Sequence, residues 1–87
     1  MCTNIATKTP VNGSAKTASG WMRVNEATMS FDHATHVWLD HALRIDFLDA
    51  NNEYADRVAV ELDLESARAL LERLDEIVDA ADRSEAP

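Results

Sequence analysis

The sequence has a single cysteine, and it lacks long hydrophobic runs and an excess of basic charge. Because Cys2 is the one cysteine among 87 residues, no disulfide can form within the chain. The N-terminal region has no apolar run of signal-peptide length, and no stretch approaches the roughly 20 apolar residues of a membrane span. These absences favour a reducing, cytoplasmic location.

Basic side chains are scarce relative to acidic ones. Lys and Arg number 8 and Asp and Glu number 16, so the net charge is -8. A phosphate backbone repels such a surface, and we therefore expect no nucleic-acid partner. The same repulsion leads us to expect no binding to anionic membranes. Acidity of this kind keeps a small protein soluble.

The length predicts one domain with a small core. We assign residues 1–83 to this domain and residues 84–87 to a frayed tail. Hydrophobic residues make up 46% of the chain, which is enough to bury a core, although a marginal one. A bound metal or a partner subunit would add the stability that such a core lacks.

Alternating apolar and polar residues predict four β-strands. Pro10 favours a position at the sheet edge for the first strand, because proline cannot donate to a central ladder. The segment that follows it, residues 12–20, is rich in Gly, Ser and Asn and predicts a loop. The predicted strands cover residues 2–12, 21–31, 41–49 and 57–62.

The last predicted element is an amphipathic helix. Asp63 is a favourable N-cap, and Glu65 adds negative charge where the helix dipole stabilises it. Apolar residues recur at three- and four-residue steps and form one stripe: Leu64, Ala67, Leu70, Leu71, Leu74, Ile77, Val78 and Ala81. The sequence thus predicts an α+β fold, a small antiparallel sheet of about four strands with one C-terminal helix packed on one face.

The opposite face of this sheet is predicted to be a mixed surface. By alternation it carries Ala42, Arg44, Asp46, Leu48, Ala59 and Glu61. Self-association would cover its apolar atoms, and Arg44 would then pair with Asp46 or Glu61 of a second copy. We therefore expect a homodimer, since two-fold dimers are the commonest assembly.

All three histidines fall within nine residues. His33 and His36 lie between the second and third strands, and His41 begins the third strand, on the side of Leu43. Neutral imidazole is the commonest metal ligand in proteins, and three protein ligands with an open fourth position describe a catalytic zinc site. The spacing is not a known zinc signature, so incidental surface or hydrogen-bonding histidines remain the alternative.

Other groups near the cluster are candidates for the same chemistry. Asp32 and Asp40 flank the histidines and are the candidate catalytic carboxylates, either as ligands or as groups that orient an imidazole. The Cys2 thiolate is a fourth candidate ligand, with an ordinary free cysteine as the alternative. Trp38 could wall such a site, form an interface or pack in the core.

Several segments together resemble a family of small bacterial proteins of unknown function. They are the opening Met-Cys-Thr, the loop from Gly13 to Trp21, the Asp-His-Ala-Thr-His run and the strand that begins at His41. The resemblance implies that Cys2 and the three histidines belong to the family pattern. Where members often have Gly and Glu, this chain has Thr17 and Asp40. The family supplies no activity.

Two functions fit these observations. The first is a small metal-binding protein with His33, His36 and His41 as ligands. Zinc is the expected metal, with copper, iron or manganese as alternatives, and hydrolysis, dehydration or cyclisation of a small-molecule substrate would fit. The second is a non-catalytic accessory or interaction protein that dimerises through its sheet. The metal content of the purified protein separates the two.

Overall fold

The computed structural model describes residues 5–85 and confirms the α+β fold. The elements follow one another along the chain as four strands and one helix. None of the described residues belongs to a helix long and apolar enough to cross a membrane. The bounds are β1 Ile5–Thr17, β2 Gly20–His33, β3 His41–Leu48, β4 Val58–Leu62 and α1 Leu64–Glu85.

The four strands form one antiparallel sheet in sequence order, β1-β2-β3-β4. β1 is an edge strand, as Pro10 predicts. Phe31 on β2 pairs with Leu43 on β3, and Leu43 pairs with Leu62 on β4. Because directly opposite residues share a face of a sheet, this register collects the apolar side chains on one side.

The loop expected at residues 12–20 is wrong for most of its length. β1 continues to Thr17, and a β-bulge between Pro10 and Gly13 absorbs the irregular segment. The chain turns only at Ala18 and Ser19, followed by Gly20 with a φ of 117°. Strand pairing satisfies the backbone groups of this polar segment, which outweighs the weak strand preference of Gly, Ser and Asn.

Asp63 caps the helix as the sequence predicts. Its carboxylate accepts the backbone N–H of Ser66 at 2.7 Å, and its carbonyl accepts the N–H of Ala67 at 3.0 Å. Hydrogen bonds from Ser66 lower the pKa of the Asp63 carboxyl. The helix runs to Glu85, so two of the residues expected in the tail are helical.

The register defines two faces of the sheet. The apolar face carries Ala27, Met29, Phe31, Leu43, Ile45, Phe47, Val58, Val60 and Leu62. The far face carries Ala42, Arg44, Asp46, Ala59 and Glu61. Ala27 on the apolar face is 4% exposed, but none of the large side chains of this face is buried, whereas Ala42 and Asp46 on the far face are 2% and 8% exposed.

The helix leaves much of its own apolar stripe uncovered. It contacts β3, but none of its residues is buried. Exposed fractions run from 48 to 68% for the six large members of the stripe, which are Leu64, Leu70, Leu71, Leu74, Ile77 and Val78. Among the residues that the structure describes, only Val24, Ala27 and Ala42 are buried apolar side chains.

The chain is accordingly more open than a typical monomer of its size. It exposes 7029 Å² of surface, against about 5,100 Å² expected for a folded monomer of this mass. Its radius of gyration is 14.8 Å, against about 12 Å for a compact domain of this length. Large apolar side chains on the helix, and Val60 on the sheet, are among the exposed groups.

Candidate functional site

Two of the three histidines lie directly against each other. His33 ends β2 and His41 begins β3, and the two residues are partners in the ladder. Their rings stack with centroids 4.9 Å apart and an angle of 24° between the planes. His41 also stacks on Phe31, with centroids 5.6 Å apart. The pair therefore stands at the end of the apolar face, as the alternation of β3 predicts for His41.

The 34–40 loop connects these two strands, and a carboxylate on β4 holds it. One oxygen of Glu61 accepts the backbone N–H and the hydroxyl of Thr35, at 2.8 and 2.7 Å. The other oxygen accepts the N–H groups of His36 and Val37, at 2.8 and 3.1 Å. Three consecutive backbone N–H groups thus point at a single carboxylate, an arrangement that binds anions well.

These hydrogen bonds also determine the ionisation of Glu61. The hydroxyl and N–H of Thr35, with the N–H groups of Val37 and His36, lower the pKa of Glu61 to about 2, and partial desolvation opposes this shift. All four donors favour the charged carboxylate. Glu61 therefore stays ionised throughout the physiological range and is a poor candidate for a general acid.

Charge pairs continue from Glu61 across the far face. Arg44 donates to Asp46, with Nε and Oδ1 3.1 Å apart, and its guanidinium lies 3.8 Å from Glu61. Arg57 lies 3.6 Å from the second oxygen of Asp46. Arg44 also donates to the hydroxyl of Thr35 at 3.3 Å. The groups expected to pair with a second copy are thus paired within one chain.

His36 is anchored at its backbone rather than through its ring. Its N–H binds Glu61, which belongs to the far face, whereas His33 and His41 stand on the apolar face. Its side chain is exposed, and so is that of Trp38, which is 100% exposed. The structure therefore brings two histidines together and leaves the third on the loop, and it excludes core packing for Trp38.

The remaining predicted site residues take separate positions. Asp32 pairs with Ala42, so it lies on the far face, and its carboxylate accepts the N–H of His33 at 2.7 Å. The carbonyl of Asp40 accepts the N–H of Ala34 at 3.4 Å. Cys2 lies outside the described residues. Over residues 5–85, no three His, Cys, Asp or Glu side chains converge as a metal-binding group.

Two stacked imidazoles would supply only part of the ligand set of a metal centre. Direct cross-strand neighbours have Cβ atoms about 5 Å apart, close enough for both rings to reach one ion. Zinc binds imidazole nitrogen at about 2.0–2.1 Å, so both rings would have to turn from the stacked arrangement until their nitrogens converge. The chemistry open to this pair is metal coordination with help from a further donor.

Sequence reasoning missed the role of Glu61. Alternation correctly places it on the far face, away from the side that carries His33 and His41, and this position argued against a part in the site. One signal was available, because Glu61 and Arg44 are oppositely charged partners in the ladder. Its hydrogen bonds to residues 35–37 span more than 20 positions along the chain.

Comparison with known proteins gives one positive result. Neither the curated proteins nor the solved structures contain a match to this chain. A family model, described as a family of unknown function, matches residues 1–87. The chain therefore belongs to the family of unknown function designated DUF6295.

Proposed function

We propose that this protein is a non-catalytic interaction protein that works as a homodimer. The observation that carries this proposal is the apolar surface of the single chain. Six large apolar side chains of α1 are about half exposed or more, and no large side chain on the apolar face of the sheet is buried. Exposed apolar surface of this extent marks a protein–protein interface.

The amount of surface supports a second copy as the occupant. The excess over a typical monomer is roughly 1,900 Å² per chain. Two chains that each bury this area would form an interface in the range of obligate homodimers, roughly 2,000–5,000 Å² in total. A dimer would also complete the core, because the single chain has no fully buried large side chain among its described residues.

The dimer contact belongs on the helix stripe and the apolar face rather than on the far face. Arg44, Asp46 and Glu61 already pair with one another in the single chain, so a second copy is not needed to compensate their charge. Ala42 on the same face is buried. The six large apolar side chains of the helix stripe, by contrast, are 48 to 68% exposed.

Light scattering of the full chain at micromolar concentration tests the proposal. We expect twice the monomer mass of 9.6 kDa. Leu71→Glu places a charge in the stripe and should yield monomers, whereas Arg73→Glu on the polar side of the helix should leave the dimer intact. If Leu71→Glu unfolds, the wild-type melting temperature provides the second measurement, because it must rise with concentration for a dimer. A constant mass of 9.6 kDa in the wild type contradicts the proposal.

A second candidate function is binding of a divalent transition metal, zinc first, for chemistry on a small molecule. The contact between the His33 and His41 rings is the observation that favours it. The further donors we propose are His36, which lies on the adjoining loop, and Cys2. Ile5 pairs with Phe31, two residues from His33, and Cys2 precedes Ile5 by three positions. Asp32 and Asp40 remain the proposed orienting or catalytic carboxylates.

Zinc titration by calorimetry, with elemental analysis of the purified protein, tests this candidate. Loss of a ligand should weaken binding about tenfold or more, since even loss of a group that orients a ligand costs 10–100-fold. We expect this loss in His33→Ala and in His41→Ala, and no change in Arg73→Ala. His36→Ala and Cys2→Ser show which residue supplies a third bond. Equal zinc affinity in all of these variants eliminates the site.

A further inference from the structure

We infer that the dimer forms by reciprocal docking, in which α1 of each chain lies on the apolar face of the other chain's sheet. This inference rests on the proposed homodimer and specifies its architecture. Two apolar surfaces of one chain are incompletely covered, one on the helix and one on the sheet. A two-fold axis that places each helix on the opposite sheet covers both with a single kind of contact.

The dimensions of the two surfaces match. A helix of 22 residues is about 33 Å long. The eight residues of β3, which runs through the apolar face, extend about 26 Å, and the axes of the outer strands of a four-stranded sheet lie about 14 Å apart. A helix with its side chains is about 10 Å wide. One helix is therefore long enough to span the apolar face, and it covers most of its width.

The position of the helix within its own chain supports exchange rather than self-docking. Among the strands, α1 makes more than marginal contact only with β3. The side chains of Leu71 and Ile77 are 66% and 68% exposed, respectively. Asp63 is the single residue between β4 and α1, so the helix departs directly from the strand end. Val60, on the strand that leads into the helix, is itself 38% exposed. The apolar side chains at this end of the sheet thus remain available to a second chain.

The charged side chains of the helix and of the far face lie outside the proposed contact. The polar side of α1 carries acidic groups, and Arg73 lies among them with Nε 3.0 Å from Glu76. The far face, where the other charges concentrate, takes no part in the contact. Only apolar-face and stripe residues need to be desolvated, so no unpaired charge is buried by the docking.

Photo-crosslinking within a mixed dimer tests the inference. A chain with Cys2→Ser and Leu71→Cys carries a benzophenone maleimide on the new cysteine. This chain is mixed with an excess of probe-free chain that is enriched in ¹⁵N. Mass spectrometry of the crosslinked peptides then identifies both the chain and the element reached. Reciprocal docking predicts crosslinks to ¹⁵N peptides from β2, β3 or β4. Arg73→Cys with the same probe, on the polar side of the helix, is the matched control and should give few of them.

The other outcomes overturn the inference in distinguishable ways. Crosslinks to the helix of the ¹⁵N chain mean that the dimer packs helix against helix, so the proposed homodimer stands and reciprocal docking fails. Crosslinks confined to the sheet of the probe-carrying chain mean that the helix closes on its own sheet. A monomeric mass by light scattering removes the homodimer as well. If Leu71→Cys does not fold, Ile77→Cys carries the probe on the same stripe.

Discussion

The Glu61 carboxylate accepts both hydrogen bonds that Thr35 donates, from its N–H at 2.8 Å and from its hydroxyl at 2.7 Å. The two residues belong to different elements, one to β4 and the other to the 34–40 loop. This contact fixes the start of the loop on the far face of the sheet. The loop therefore carries His36 and Trp38 in a defined position, although both side chains are exposed.

Glu61→Gln should release the loop without unfolding the sheet. The carboxylate uses both oxygens, and an amide replaces one of them with an NH₂ group that cannot accept a hydrogen bond. We expect several-fold faster amide hydrogen exchange at Thr35, His36 and Val37, measured by NMR.

Glu72→Gln is the matched control for this substitution, because Glu72 lies exposed on the helix. It should leave exchange in the loop unchanged. Equal exchange of the three loop amides in the wild type and in Glu61→Gln would show that the carboxylate does not hold the loop.

The same contact should contribute to acid sensitivity. The pKa of Glu61 is lowered from 4.5 to about 2, so its stabilising contribution is complete above about 4.5 and is lost as pH falls through about 2. The stability difference between the wild type and Glu61→Gln should therefore shrink across this window. Urea unfolding at a series of pH values measures it, and Asp63 titrates equally in both proteins. A difference that stays constant down to pH 2 contradicts the assignment.

The two glycines should respond oppositely to alanine. Gly20 has a φ of 117°, which strains any residue with a Cβ, so Gly20→Ala should destabilise the protein by more than about 1 kcal/mol. Gly13 does not have a positive φ, and a Cβ there meets nothing within 4 Å. Gly13→Ala should therefore be neutral or stabilise by up to about 1 kcal/mol. Denaturant unfolding of both variants measures the change in the free energy of unfolding. Equal destabilisation would refute this account of the turn.

Asp63→Ala should destabilise α1 from its first turn. The substitution removes the acceptor for the Ser66 N–H and the negative charge near the positive end of the helix dipole. We expect a lower melting temperature, followed by circular dichroism at the helix band. Asp63→Asn retains an acceptor and should restore most of the loss, and no difference between the two variants would exclude capping.

Zinc affinity should depend on pH if the histidine pair binds metal. Protons compete with the metal for neutral imidazole, so affinity should fall as the pH is lowered from neutral to mildly acidic. Calorimetric titrations between neutral and mildly acidic pH measure this change. An affinity that does not vary over this range would exclude histidine ligation.

Local patterns in the sequence were sufficient for the type and order of the elements and for the face of β3 on which His41 lies, but not for the length of β1. Alternation placed His41 with Leu43, Ile45 and Phe47, and the ladder confirms that they share a side. Asp63 was identified as the N-cap because capping depends on residues only three positions apart. Such features follow from the helix and strand periods, which a neighbouring element does not alter.

The candidate site was only partly accessible in this way. The ladder brings His33 opposite His41. This pairing can be predicted from the sequence only once the register of β2 and β3 is known. The partner of the His36 backbone, by contrast, is 25 positions away on β4. No local spacing encodes such a contact, because it depends on the path of the loop.

The sequence by itself determined which side chains are apolar and along which stripe or face they recur. Only the tertiary structure decided that Arg44 pairs with Asp46 and Glu61 in its own chain, and that the stripe of α1 stays uncovered. The physical reason is that periodicity fixes the direction of a side chain relative to its own element. What that side chain meets depends on strand register, on the bulge in β1 and on the short connection at Asp63, which together set where the elements lie in space.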